Sequence, residues 1–251
     1  MNPTAKRVRL LLEKLRLRLS LAWAVGTGLD RAHHRSLCTV SFAQSGEDII
    51  ASFIFSLLGI GRPRYLDIGA HDPVFLNNTA LFSLLGATGV NIEPDPVLFR
   101  AFVRQRPHDT NLNIGISESS GMMTFFRMSD PTLSTFSEAE AVRVEQHSSA
   151  RITGRIELPV EPIGEVLRRL NFTPDFLTID VEGRDLAILR TYDFEAHRPI
   201  VICAETVEFS FLKAGPKNRE LIDFVTSQGY GVYADTFINT IFVDRRRLPI
   251  S

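Results

Sequence analysis

Short apolar strands alternate with helical segments through most of the chain, and this alternation is the strongest constraint on its fold. Buried strands are predicted at "RYLDIGA" (64–70), "GVNIEP" (89–94), "DFLTIDVEG" (175–183) and "RPIVICAET" (198–206). Between them, apolar residues recur at helical spacing, as in Ile163, Val166, Leu167 and Leu170. Such an order predicts an α/β fold whose mostly parallel sheet has helices on both faces.

The rest of the chain adjusts this prediction at two places. The segments "YGVYAD" (230–235) and "NTIFVDRR" (239–246) are separated by a few residues, which predicts an antiparallel final pair in a mixed sheet of about seven strands. "TNLNIGIS" (110–117) is predicted as a single strand. Residues 121–162 look less regular. Within them "MMTFFRM" (122–128) could be a strand, and we expect the run that follows to be a variable excursion or mobile loop that covers the substrate pocket.

Charge is distributed unevenly between a basic head and an acidic body. The net charge is −1, yet residues 1–35 hold eight Lys and Arg against two acids. The apolar residues of this head fall on one stripe of a helix, which predicts an amphipathic N-terminal helix. We therefore expect two parts: an amphipathic appendage (1–35) and a single domain (36–251) that is large enough to hold an active site. Peripheral membrane contact through residues 1–25 and packing on the domain or a partner both remain open.

Composition narrows the class of protein and its compartment. The chain has two cysteines, and their spacing fits neither a metal site nor a redox motif, which indicates a protein of the reducing cytoplasm. The basic head leaves open that this cytoplasmic protein attaches to the inner face of the membrane. A basic segment on an acidic body favours a surface-seeking head and no nucleic-acid partner.

Acidic residues and one glycine follow the first two strands. The first strand ends with Asp67, Gly69, Ala70 and His71, and the second strand ends with Glu93. Glu93 follows Asp67 by 26 residues, which is about the sequence separation at which an acid binds ribose hydroxyls in dinucleotide folds. The turn lacks the further glycines that bind pyrophosphate, which disfavours an NAD-dependent oxidoreductase. A nucleoside without phosphates, above all S-adenosylmethionine, fits better.

The string "IDVEG" supplies candidates for the chemistry. Asp180 and Glu182 lie two residues apart on an extended segment and therefore point to the same side. Glu205 ends the following strand. These three acids could hold a divalent cation, or one could act as general base toward a hydroxyl, for which we favour Asp180. A cap of the helix that follows is the structural alternative.

Taken together, these strings resemble the FkbM-type S-adenosylmethionine-dependent methyltransferases. The matching pieces run in the family's order and cover about four fifths of the chain: "SFAQSGEDII", "YLDIGAHDPVFLNNT", "GVNIEPDP", "NLNIGIS", "LSTF", "FLTIDVEGRDLAIL", "RPIVICAE" and "NTIFV". The resemblance implies a class I, Rossmann-like methyltransferase fold. It also implies O-methylation of a hydroxyl on a sugar, glycoconjugate or related natural product.

The resemblance also assigns residues. Asp67, Gly69 and Glu93 match cofactor-binding positions of the family, and further cofactor contacts are implied at Asn78, Thr79, Gly115, Gln44 and Glu47. His71 and Asp72 stand where many relatives have Asn and a small residue. The alternative to an enzyme is a non-catalytic scaffold of the same fold, recruited to a membrane or partner by its N-terminal helix.

Overall fold

The computed structural model describes residues 40–181, 183–207 and 215–248. The basic head (1–35) and Glu182 lie outside the described residues. The described strands are β1 (Tyr65–Ile68), β2 (Gly89–Ile92), β3 (Thr110–Leu112), β4 (Gly115–Ile116), β5 (Gly121–Met128), β6 (Ile152–Glu161), β7 (Phe176–Ile179), β8 (Val201–Glu205), β9 (Tyr230–Asp235) and β10 (Asn239–Asp244). The described helices are α1 (Glu47–Leu57), α2 (Ala80–Leu84), α3 (Pro96–Gln105), α4 (Glu138–His147), α5 (Ile163–Leu170), α6 (Asp185–Arg190) and α7 (Arg219–Ser227), with a 3-10 turn at Pro131–Leu133.

Seven strands form the main sheet in the order β3-β2-β1-β7-β8-β10-β9. β1 pairs in parallel with β2 on one side and with β7 on the other. β10 runs antiparallel to both β8 and β9, so it alone opposes the common direction of this sheet. The prediction of a mixed sheet of about seven strands with an antiparallel final pair is confirmed.

Alternate residues of each central strand face opposite layers of helices. Leu66 and Ile68 of β1 belong to a core with α5, α6 and α7, whereas Tyr65 packs with α1 and α2. The same alternation continues across β7 and β8, where Phe176 and Cys203 join the α1 side. Both faces of the central strands are therefore buried, which explains why their sequences are almost continuously apolar.

Residues 121–162, expected to hold a possible strand at 122–128 followed by a variable excursion, form two long strands with a helix between them. β5 and β6 pair antiparallel, and β4 joins β6 in parallel to give a second sheet of order β4-β6-β5. α4 closes one end of this sheet through a small apolar cluster that contains Phe126, Met128 and Val144. β6 was not predicted because about half of the residues in "ITGRIELPVE" are polar or glycine, a composition that is typical of a loop. In the structure, exposed and partly buried residues alternate along it with the period of two of a strand.

The single strand predicted at 110–117 is divided between the two sheets. Residues 110–112 extend the main sheet beside β2, and Gly115–Ile116 pair with β6 of the second sheet. A Cβ on Gly115 would stand 2.4 Å from the Phe136 ring and 2.9 Å from Val160, so only glycine lets the chain pass between the sheets here. Among the described helices, none is both long and apolar enough to cross a bilayer.

Candidate active site

A cleft opens at the carboxyl ends of β1, β2 and β7, between the main sheet and the second sheet. Parallel α/β sheets bind ligands at this end because the strand order changes direction there. Nine of the predicted site residues line the cleft: Gln44, Asp67, Gly69, Ala70, His71, Asn78, Glu93, Gly115 and Asp180. The second sheet and the loop after β5 form the opposite wall with Phe125, Pro131, Thr132, Ser134, Thr135 and Phe136.

The backbone donors of the turn after β1 are already hydrogen-bonded to residues at the end of β2. Gly69 N and Ala70 N both donate to the Ile92 carbonyl, at 3.0 and 3.1 Å. His71 N donates to Glu93 Oε2 at 2.7 Å. Three successive N–H groups are therefore committed to the end of β2, and the turn offers none of them to a pyrophosphate.

Asp67 is buried in a polar network behind the turn. Its Oδ2 accepts from Thr79 Oγ1 at 2.7 Å and from Asn77 Nδ2 at 3.1 Å. Burial raises the pKa of Asp67 to about 6, against the lowering effects of Thr79, Arg106 and Asn77. Asp67 therefore depends on its neighbours to remain ionised near neutral pH.

Arg106 supplies the cation of this network and was missed from the sequence. The residue is 5% exposed, and its guanidinium donates to Thr79 Oγ1 and to Asn77 Oδ1, both at 2.7 Å. It also donates to Asn91 Oδ1 and to the Pro73 carbonyl. An arginine just after a helix and before a proline has the pattern of a solvated residue, and only the packed fold shows that it is buried.

Glu93 presents a carboxylate whose two oxygens are each held by one backbone donor. Oε2 accepts from His71 N and Oε1 from Asp95 N, both at 2.7 Å. A carboxylate oxygen has two lone pairs, so each oxygen keeps one acceptor position for a ligand. Burial raises the pKa of Glu93 to about 8, more than the two backbone hydrogen bonds lower it.

Asp180 follows β7 and lines the cleft beside Gly69. Its backbone N donates to the Ile68 carbonyl at 3.1 Å. Its Oδ1 is buried and receives no hydrogen bond from the residues that the structure describes. A buried carboxylate oxygen without a donor is costly, so this atom is suited to bind a ligand's hydroxyl. Asp185 lies behind it, and burial together with the charge of Asp180 raises the pKa of Asp185.

Asn78 fixes the loop after β1 to the main sheet, and Arg184 connects the main sheet to the second sheet. Asn78 Nδ2 donates to Thr178 Oγ1 of β7 at 2.9 Å. Arg184 donates to Ser117 Oγ at 3.3 Å and forms an ion pair with Glu118, which joins the turn after β7 to the second sheet. Asn78 was predicted from the family resemblance, whereas Arg184, which immediately follows the "IDVEG" motif, was not.

Three predicted residues do not line the cleft. Thr79 is fully buried and holds Asp67. Glu47 is fully buried as well, and its Oε1 accepts from Thr236 Oγ1 at 2.7 Å and from Asn239 Nδ2 at 2.9 Å, which anchors α1 to the β9–β10 hairpin. Glu205 ends β8 opposite Asn239 and is not among the lining residues either. Direct contact of these three with a ligand in the cleft finds no support in their positions.

The expected divalent-cation site also finds no support. Within residues 40–181, 183–207 and 215–248, no group of three or more His, Cys, Asp and Glu side chains is arranged to hold a metal ion. Of the three acids considered from the sequence, Asp180 lines the cleft, Glu205 does not, and Glu182 lies outside the described residues.

The strand order, the one antiparallel strand of the main sheet and the acids at the ends of β1 and β2 define the class I, Rossmann-like methyltransferase fold. Within this class, the chain belongs to the FkbM methyltransferase family. The family model described as "Methyltransferase FkbM domain" matches residues 67–232, which is more than half of the chain. No curated protein sequence matches the chain.

Two solved structures are similar to parts of the chain. One is the methyltransferase FkbM from Methylobacillus flagellatus KT, with a TM-score of 0.41 and 15% identity over 73% of this chain and 44% of that one. The other is an O-methyltransferase candidate from Klebsiella pneumoniae, with a TM-score of 0.40 and 12% identity over 89% of this chain and 94% of that one. The chain thus spans less than half the length of the first of these proteins.

Proposed function

We propose that this protein is an S-adenosylmethionine-dependent O-methyltransferase. Its acceptor would be a hydroxyl of a sugar, a glycoconjugate or a related natural product. Membership of the FkbM family supports methyl transfer, and the composition of the cleft supports this cofactor and this class of acceptor.

The observation that carries the proposal is the arrangement of Glu93 and the turn N–H groups. Glu93 retains an acceptor position on each oxygen, as the vicinal hydroxyls of a ribose require. The N–H groups of residues 69–71 are already bonded to the end of β2, so a phosphate at this turn would meet carboxylates without compensating backbone donors. The residues therefore fit a nucleoside whose charged end is an amino acid and not a dinucleotide.

Asp180 marks the part of the cleft available to the acceptor. When bound, S-adenosylmethionine supplies an electrophilic methyl group. Asp180, whose Oδ1 has no partner within the described part of the chain, would accept a hydrogen bond from the acceptor hydroxyl and orient its oxygen for attack, a positioning effect that can supply several kcal/mol. Asp180 would also receive the hydroxyl proton as general base.

The opposite wall suits a polyhydroxylated acceptor. Thr132, Ser134 and Thr135 place hydroxyl-bearing residues along the cleft, and Phe125 and Phe136 place two rings with centroids 4.9 Å apart. Hydroxyl groups can exchange hydrogen bonds with a sugar, and aromatic faces can pack on its C–H surface. This mixture supports a glycoside acceptor over a purely apolar one.

Two measurements test the proposal in sequence. Calorimetry compares S-adenosylhomocysteine with NAD⁺, and we expect binding of the first only. A transfer assay with labelled S-adenosylmethionine then uses methyl glycosides of glucose, mannose, galactose, rhamnose and N-acetylglucosamine, with and without Mg²⁺. Absence of S-adenosylhomocysteine binding would favour the non-catalytic scaffold and contradict the proposal.

The variant Asp180→Asn assigns the chemistry within the cleft. We expect S-adenosylhomocysteine affinity to stay within about twofold of the unmodified chain, while turnover falls by 100-fold or more, the usual contribution of a general base. Asp193→Asn is the control, since Asp193 is an exposed turn residue away from the cleft. Unchanged turnover in Asp180→Asn would remove Asp180 from the mechanism.

A further inference from the structure

The loop after β2 holds the carboxylate that we assign to the ribose. Asp95 N donates to Glu93 Oε1 at 2.7 Å, and both residues line the cleft. Asn113 Nδ2, from the segment that leads from β3 to β4, donates to the carbonyls of Glu93 and Pro94 at 2.9 and 2.7 Å. The direction in which the Glu93 oxygens point therefore depends on the position of the backbone of residues 93–95.

The side chain of Asp95 fixes the far end of this loop. Its Oδ1 accepts from Val97 N at 2.7 Å and thereby caps α3. Its Oδ2 accepts from Arg127 Nε at 2.8 Å. The Asp95 side chain is 4% exposed, so this is a buried carboxylate whose charge is matched by Arg127.

Arg127 reaches this acid from the second sheet. It follows Phe125 by two residues on β5, and Phe125 lines the cleft, so both side chains lie on the same face of the strand. The pairing of β5 with β6 shifts register immediately after Arg127. Irregularities of this kind near active sites increase the local twist and redirect side chains. The ion pair thus joins the acceptor wall to the loop that carries Glu93.

Loss of the Arg127 charge would disturb the loop in a defined way. A buried carboxylate without its cation is costly, and the loop can lower this cost by turning Asp95 toward water. The Asp95 N–H would then leave Glu93 Oε1, which it now binds at 2.7 Å. Hydrogen bonds weaken steeply when donor and acceptor lose their alignment, so a ligand bound to the Glu93 oxygens would be held less tightly.

We propose that Arg127 is a positioning residue for the cofactor, whose ion pair with Asp95 holds the loop after β2 in the conformation in which Glu93 binds the ribose hydroxyls. This inference rests on the proposed function. Arg127 is not among the lining residues of the cleft, so it acts through Asp95 and not by contact with the ligand. The second sheet then contributes to cofactor binding as well as to the acceptor wall.

The first test uses two ligands that differ only in the diol: 5′-methylthioadenosine and its 2′,3′-dideoxy analogue. Calorimetry on Arg127→Met should show an affinity for 5′-methylthioadenosine about tenfold weaker than that of the unmodified chain, the contribution of one hydrogen bond to a charged group. Affinity for the dideoxy analogue should change by less than about twofold, since it has no hydroxyl for Glu93 to bind. Equal losses with both ligands would indicate general damage to the cleft and would overturn the proposal.

Two further variants control this comparison. Arg169→Met removes a comparable ion pair, because Arg169 pairs with Glu161 at 2.6 Å and neither residue lines the cleft. It should bind both ligands as the unmodified chain does. Arg127→Lys keeps the charge but lacks the Nε–H that bonds Asp95, so it should bind 5′-methylthioadenosine with an affinity between those of Arg127→Met and the unmodified chain.

The second test asks whether Arg127 acts through Asp95. Asp95→Asn keeps the backbone donor to Glu93 and an acceptor oxygen for Val97 N, but lacks the charge that pairs with Arg127. If the ion pair is the route, Asp95→Asn and the double variant Asp95→Asn/Arg127→Met should lose about the same affinity for 5′-methylthioadenosine as Arg127→Met alone. Losses that add in the double variant would overturn the route through Asp95.

Failure of the proposed function has a separate outcome in these measurements. If the unmodified chain binds neither 5′-methylthioadenosine nor S-adenosylhomocysteine, the proposed function is wrong and the role of Arg127 falls with it. If the unmodified chain binds both ligands and Arg127→Met binds them equally well, the proposed function stands and the role of Arg127 is refuted.

Discussion

The backbone carbonyl of Asp180 lies directly against Gly69, so that a Cβ built on Gly69 would stand 1.9 Å from that oxygen. The two residues are far apart in sequence and meet because β1 and β7 are parallel neighbours. Their contact joins the cofactor turn to the proposed base. The glycine also has φ 78°, which L side chains rarely adopt.

Gly69→Ala should therefore damage both the fold and the site. The left-handed backbone costs about 1–2 kcal/mol for alanine, and the clash with the carbonyl adds about 1–3 kcal/mol. We expect urea unfolding to show this loss and calorimetry to show weakened S-adenosylhomocysteine binding. Gly154→Ala is the control, since a Cβ there meets nothing within 4 Å. Equal stability of the two variants would contradict the contact.

Thr79→Val tests the link between Asp67 and Arg106. The hydroxyl donates to Asp67 Oδ2 and accepts from Arg106, both at 2.7 Å, and valine keeps its shape. Two buried charged groups would each lose a partner, so we expect a loss of about 2–3 kcal/mol in the free energy of unfolding. Thr153→Val, whose exposed hydroxyl donates to the Arg127 carbonyl, should change stability little.

The pH dependence of this loss has a definite sign. Asp67 has a folded pKa of about 6, above its ordinary value, so its ionisation disfavours the folded state as pH rises. Removal of the Thr79 hydrogen bond raises that pKa further. The deficit of Thr79→Val should therefore be smaller near pH 4, where only the bond to Arg106 counts, and largest at pH 7 and above, as measured by urea unfolding across that range. A deficit that grows toward acid pH would contradict the assignment.

The raised pKa of Glu93 predicts that a proton is released when the cofactor binds. Its pKa is about 8 in the free protein, and ribose hydroxyls donate to the ionised form, so binding favours ionisation. Affinity for S-adenosylhomocysteine should rise by up to about tenfold per pH unit below pH 8 and level off above it. Calorimetry in buffers of different ionisation enthalpy measures both affinity and proton release.

Two comparisons locate this effect at the ribose. 5′-Methylthioadenosine keeps the diol and lacks the amino acid, and should show the same pH dependence. The 2′-deoxy analogue of 5′-methylthioadenosine should bind the unmodified chain more weakly, with an affinity that does not depend on pH. The variant Glu93→Gln should bind 5′-methylthioadenosine more weakly and also without pH dependence. A pH-independent affinity of the unmodified chain between pH 6 and 8 would remove Glu93 from ribose binding.

Glu47 and Gln44 form a pair with opposite predicted effects. Glu47 accepts from Thr236 and Asn239 on one oxygen and from Ser45 N on the other, and Glu47→Gln turns one of these oxygens into an NH2 donor. The variant should therefore cost about 1–3 kcal/mol of stability with unchanged S-adenosylhomocysteine affinity. Gln44 lines the cleft, so Gln44→Ala should weaken binding with little change in stability. Urea unfolding and calorimetry on both variants give the answer. If Glu47→Gln lost affinity for S-adenosylhomocysteine without losing stability, Glu47 would be assigned to the binding site, as the family resemblance implied.

Local sequence patterns were sufficient for the secondary structure of the main sheet and for the residues that end its strands. Apolar runs, helical spacing and the glycine after β1 depend on neighbours a few positions away, and these neighbours are present in the sequence itself. The positions of Asp67, Glu93 and Asp180 at strand ends followed from the same patterns. Their convergence on one cleft followed from the general rule for parallel sheets.

Only the tertiary structure decided which polar residues are buried and what they contact. Arg106 resembles a surface residue until α3 and the loop 73–79 enclose it, and Glu47 resembles a ligand contact until β10 covers it. β6 became a strand because β5 and β4 pair with it, although half of its residues are polar. Burial, hydrogen-bond partners and pKa depend on segments distant in sequence, and no local pattern specifies which distant segment will pack against which.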